Sequence, residues 1–177
     1  MATTYQLISS VTVGSGGAAN IEFTSIPGTY TDLLLSTSLR TNRATEVRDV
    51  ARMQFNGNTA TNYSNKELYN LCNSGTASSA NETGQTGVRC AWPTAAGATA
   101  NTFSNDTIYI PNYAGSNQKS ISADSVAETN ATGSDQDVLI AGLWNQTSAI
   151  TSIKIYPVVG TTFNQYSTAY LYGIKNS

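Results

Sequence analysis

Histidine is absent from these 177 residues. With it go Ser-His-Asp and Cys-His catalysis, His-ligated zinc and the usual general base near neutral pH. Charge is scarce. Asp, Glu, Lys and Arg make up 11% of the chain, against about 25% in an ordinary soluble domain. The formal net charge is −2, so no nucleic acid partner is expected. Cys72 and Cys90 are the two cysteines, too few for a disulfide scaffold or for an all-cysteine zinc site within one chain. They could pair; a reducing cytoplasm favours two free thiols. No apolar run approaches the ~20 residues of a spanning helix, so no membrane insertion is expected. The start, MATTYQLISSVTVG, lacks the basic and apolar regions of a secretory leader, and none is expected.

Phosphate-binding and carboxylate chemistry are equally thin. Gly14-Ser15-Gly16-Gly17 lacks the Lys-Ser/Thr of a phosphate loop and reads as a turn. Eleven acidic residues remain, and a glycosidase needs only two that face each other. Asp135-Gln136-Asp137 is the one close pair; a solvated turn explains it better than a calcium site. The chain reads as non-enzymatic, with no catalytic residue, cofactor or metal assigned.

What fills the surface instead is Thr (25), Ser (20) and Asn (17). Small polar side chains lose little rotamer entropy on burial and suit extended contact with neighbours. The same residues also suit the strands and turns of any all-β protein.

Period-two alternation dominates the chain. Strands are expected over 5–13 (through Leu7, Val11 and Val13), 20–24, and 30–40 with Leu33, Leu35 and Leu39 on one face. Residues 52–55 form another before Asn56-Gly57-Asn58, a hairpin signal. A further strand is expected over 62–72. Residues 73–101 read as a loop-rich insertion around one or two strands, with 87–92 as the candidate. Strands resume at 106–110, 119–128, 138–144, 150–156 and 167–174. In the last, Tyr170, Tyr172 and Ile174 share a face. Turns separate these segments and helical crossovers do not. The expectation is a single all-β domain over 1–177: an antiparallel two-sheet β-sandwich, jelly-roll-like, of about nine or ten strands. One helical turn is possible over 44–51.

Four of the nine cationic residues, Arg40, Arg43, Arg48 and Arg52, fall within thirteen positions. They could be a solvated connection with Glu46 and Asp49 as local partners, or a docking segment at a protein interface. Trp144 ends a core strand. If one aromatic is an exposed anchor, it is Trp92.

Several strings carry a resemblance: Ile8 to Gly17, Phe23 to Leu33, Phe55-Asn56-Gly57, Ile108 to Gly115, Gly142-Leu143-Trp144 and Tyr170 to Ile174. Together they resemble a family of small virion structural proteins of tailed bacteriophages, often from marine or cyanobacterial hosts. The likeness weakens from Cys72 to Thr102 and rests on strands and turns. It implies a virion component made in the host bacterial cytoplasm. One placement is a capsid decoration or cement protein, a homotrimer seated on the major capsid protein. The other is a tail-fibre or baseplate module that binds host surface glycans. The resemblance also gives the arginines a role, since tailed-phage capsid lattices are commonly acidic and Arg binds carboxylates bidentately.

Overall fold

A computed structural model describes residues 4–71, 76–129 and 136–175. The described residues contain no helix and twelve strands, all paired antiparallel, in two sheets. In chain order they are β1 (Tyr5–Thr12), β2 (Ile21–Phe23), β3 (Asp32–Ser38), β4 (Ala51–Phe55), β5 (Tyr63–Leu71) and β6 (Ala77–Gln85). Then follow β7 (Val88–Ala91), β8 (Asn105–Ile110), β9 (Lys119–Ala127), β10 (Gln136–Trp144), β11 (Ile153–Pro157) and β12 (Thr168–Ile174).

The eight-stranded sheet runs β1-β12-β3-β8-β9-β10-β5-β6, and the four-stranded sheet runs β2-β11-β4-β7. Setting aside β5, β6, β9 and β10 leaves β1-β12-β3-β8 against β2-β11-β4-β7. That alternation of early and late strands is the double Greek key of a jelly roll. The other four strands extend one sheet past β8. Each of them is nine residues long.

The core lies between the sheets, and alternation puts it there. Leu33, Leu35, Ile108, Ile121, Ile140 and Leu171 point inward from the large sheet, against Ile21, Phe23, Met53, Val88, Ile153 and Ile155 of the small one. Gly142 permits a close approach of the layers, because a Cβ there would overlap Cγ2 of Val88. Phe55, Tyr63 and Trp144 close one end, with ring centroids 5.3–6.2 Å apart.

Residues 77–85 form a full strand beside the one at 88–91, the two strands expected at most within 73–101; Ala, Ser, Asn and Thr hid the first by lacking an apolar alternation. Three other local expectations are corrected. Asn56 and Gly57 both have positive φ and make the tight turn. No hairpin follows, because β4 and β5 belong to different sheets. Residues 44–51 form no helical turn: Arg43 O and Glu46 O accept from Ala96 N and Gly97 N across the gap, and Thr45 sits at φ 64°. In β12 Tyr170 and Tyr172 share a face, and it is the outer one; the buried face is Ala169 and Leu171, and the Tyr30 ring covers Gly173 where an inward side chain would sit. In β1 a register shift between Leu7 and Ser9 turns Leu7 outward while Val11 stays on the inner side.

Candidate interaction surface

Four connections meet at one end of the sandwich: residues 13–20, 39–50, 92–104 and 158–167. Isolated bridges tie Ala18 to Phe163, Thr41 to Phe163, and both Arg40 and Arg48 to Thr94. The first three of the clustered arginines lie here, each with a different task.

Arg40 turns inward and is buried. Its guanidinium donates to Ala98 O (3.2 Å), Thr99 O (3.0 Å) and Thr102 O (2.9 Å), which organises the 98–102 connection. Burial lowers its pKa, yet three carbonyl acceptors satisfy the charged form. Arg43 is partly exposed. It donates to Arg48 O (3.1 Å) and lies 3.7 Å from Glu46 Oε1, a loose contact. Arg48 lies over the Trp92 ring at 5.6 Å, a cation–π contact. Asp49 pairs with no arginine among the described residues. Its buried carboxylate accepts from the backbone N–H groups of Val50, Val159 and Gly160 and pins the 158–160 turn. Arg43, Asn42, Glu46, Val159, Gly160 and Thr161 line a polar depression of about 470 Å³. Val159 beside it is 59% exposed.

Arg52 stands apart, on β4. It donates to Gln85 Oε1 (2.6 Å) and Glu82 Oε2 (2.8 Å). Arg89 of β7 grips Glu82 with two bonds (3.0 and 2.6 Å) and reaches Glu67 Oε2 at 3.1 Å. This network clamps the β5–β6 pair onto the edge of the small sheet. Burial pushes the Glu67 carboxyl up, with Arg89 opposing. Trp92 is no exposed anchor. It is 6% exposed, packs on Tyr69 at 5.1 Å, and supports Arg48 from beneath. Trp144 is core, as expected. Cys90 is a free, buried thiol whose pKa burial pushes far up. Cys72 and Asp135 lie outside the described residues.

The outer face of the eight-stranded sheet was not singled out as a site by sequence. On β1, β12, β3 and β8 it presents Tyr5, Leu7, Tyr170, Tyr172, Leu34 and Tyr109, aligned by register. On the four-strand extension it presents Leu139 beside Leu68, each 55% exposed, with Val126 and Asp137 one row away. Three depressions of about 410, 310 and 320 Å³ follow β10 there. A signal did exist: 138–143 is apolar on both faces, as strands are when both faces are to be covered.

A buried carboxylate was also missed. Asp106 of β8 accepts from Thr37 Oγ1 (2.7 Å), Ser104 Oγ (2.8 Å) and Ser125 Oγ (2.5 Å). Burial outweighs these bonds and raises its pKa to about 6. The folded state therefore holds this proton more tightly than the unfolded chain does. The stabilisation is complete below pH about 4 and is lost as pH rises through about 6; two units correspond to roughly 3 kcal/mol. Asp106→Asn is expected to flatten the pH 4-to-7 dependence of urea-unfolding free energy by about that amount. An unchanged dependence would assign the effect to other groups.

No family model matches this chain, and no curated protein matches it. Among solved structures it has a faint likeness to an alginate lyase from Pseudomonas aeruginosa. The identity is 9% and the TM-score 0.24, over 85% of this chain and 66% of that one. A structure described in connection with botulinum neurotoxin type C and two ganglioside molecules has 13% identity and TM-score 0.21, over 98% and 42%. Likeness at this level carries no argument about function.

Proposed function

We propose that this chain is a structural protein of a tailed-phage particle, a decoration protein that docks on the head shell as a homotrimer and stabilises it. The supporting observation is the outer face of the eight-stranded sheet, where tyrosines and leucines stand among small hydroxyl and amide side chains with few charges. Such a surface suits permanent contact with a fixed neighbour. Tyrosine supplies apolar area with a polar tip, and Ser, Thr and Asn lose little entropy on burial. The fold alone does not choose a role; the resemblance supplies the particle. On this reading the partners are sister copies and the major capsid protein. Arg43 and Arg48 are the partly exposed cations of the docking end. Arg40 and Trp92 support it from within, and Arg52 belongs to the β5–β6 clamp.

The competing placement is a tail-fibre or baseplate module, for which the polar depression beside Arg43 and Thr161 would be the glycan site. Gold-labelled antibody on intact virions separates the two. Label spread over the head is the expected result. Label confined to the tail makes the chain an adhesion module, and unlabelled particles overturn both placements.

A further inference from the structure

We propose that copies of this chain assemble head to side. The loop end of one copy, with Arg43, Arg48 and Val159, seats on the outer face of the four-strand extension of the next, against Leu68, Leu139, Asp124 and Asp137. The inference rests on the oligomeric part of the proposed function and adds which two surfaces meet.

The two surfaces are complementary in charge. Arg43 has its nearest carboxylate at 3.7 Å, and Arg48 makes no ion pair among the described residues. Asp124 and Asp137 are exposed and make none among the described residues either. They flank Leu139: Asp124 is its register partner on β9, and Asp137 lies two residues before it on the same strand. Lys66 lies on the far side of the leucine pair, opposite Ala141. A basic guest is thereby directed to the acidic end of the face and away from Lys66.

The two surfaces also match in apolar content and in size. Val159 projects from the basic end, and Leu68 and Leu139 form the floor that would receive it. Four strands about 4.8 Å apart, nine residues each at about 3.3 Å, give a face of roughly 20 by 30 Å. That is on the order of 600 Å², somewhat below the ~800 Å² that one partner gives to a standard interface. A head-to-side contact uses two different surfaces of every copy, so each subunit covers both. Where the rotation between neighbours closes, such heterologous contacts form rings, of which the homotrimer is one.

Light scattering on the purified full chain tests this without any particle. The parent is expected at a closed multiple of 18.7 kDa. Arg43→Glu/Arg48→Glu and Asp124→Arg/Asp137→Arg are each expected to give monomers that still melt cooperatively, because all four residues are at least partly exposed. All four substitutions in one chain restore the opposite-charge pairing and are expected to restore the oligomer. Should a reversal fail to fold, Arg43→Gln/Arg48→Gln and Asp124→Asn/Asp137→Asn serve instead, with association weakened by roughly 10-fold or more. A monomeric parent, an oligomer indifferent to either reversal, or no rescue in the fourfold variant overturns the inference. The virion labelling is read separately: a monomer on labelled heads removes this contact alone, and an oligomer absent from particles removes the virion role alone.

Discussion

Deleting residues 167–177 is expected to leave a chain that does not melt cooperatively. β12 is the second strand of the large sheet and pairs on both sides, with β1 from Tyr5 to Thr12 and with β3 from Asp32 to Ser38. Its loss detaches β1, whose one strand neighbour is β12, and opens the edge of β3. Ala169 and Leu171 leave the core at the same time. Ser167 also goes, and with it the bond its Oγ accepts from the Arg40 amide at 3.1 Å. Burial of a single leucine is worth about 2–5 kcal/mol and a whole domain about 5–15 kcal/mol. Losing an interior strand with its edge neighbour therefore exceeds the total. Circular dichroism with a thermal ramp reads the result. A soluble truncation with a sharp transition would place the strand at the periphery.

Arg89→Ala is expected to cost about 3–5 kcal/mol, the range for breaking a buried ion pair by removing one partner. Arg89 holds Glu82 and Glu67 together, and the Glu67 side chain is fully buried. Without the guanidinium, Glu67 must hold a buried charge supported by the amide of Asn65 at 3.1 Å and the more distant charge of Arg52, or take up a proton. Two further measurements identify the mechanism. Glu67→Gln in the Arg89→Ala background should recover part of the loss, because the stranded charge is gone. The deficit should also shrink on acidification from pH 7 to pH 5, since the Glu67 pKa, already raised by burial, rises again when its cation is removed. Urea unfolding reads all three. A loss below about 1 kcal/mol would mean the clamp behaves as an ordinary surface pair.

The corrected residues show where sequence reasoning stops. β3, β9 and β11 were legible because their inner faces repeat apolar residues at every second position, Leu33 and Leu35, Ile121 and Ala123, Ile153 and Ile155. β6 was not, since both its faces are exposed or partly so and nothing apolar marks its period. The Asn56-Gly57 turn was legible, because two positive φ values need those residues. That it leads to the opposite sheet was not legible: the next strand is chosen by pairing with β10, far along the chain. Trp92 looked like a surface residue beside Pro93, and was placed in the interior by Tyr69 and Arg48.

The arginine segment divides in the same way. The sequence alone placed a cluster of cations over the connection from β3 into β4 of a nearly neutral chain. Tertiary structure decided that Arg40 and Arg52 turn their terminal nitrogens to internal acceptors while Arg43 and Arg48 remain partly accessible. The acceptors of Arg40 lie 58–62 positions away and those of Arg52 lie 30–33 away. Alternation along one strand reports which side chains share a face. It is silent about which strand comes alongside, and so about strand order, about which face of β10 is covered, and about which charges meet. Those follow from packing two sheets over one core, and that packing is a property of the whole chain.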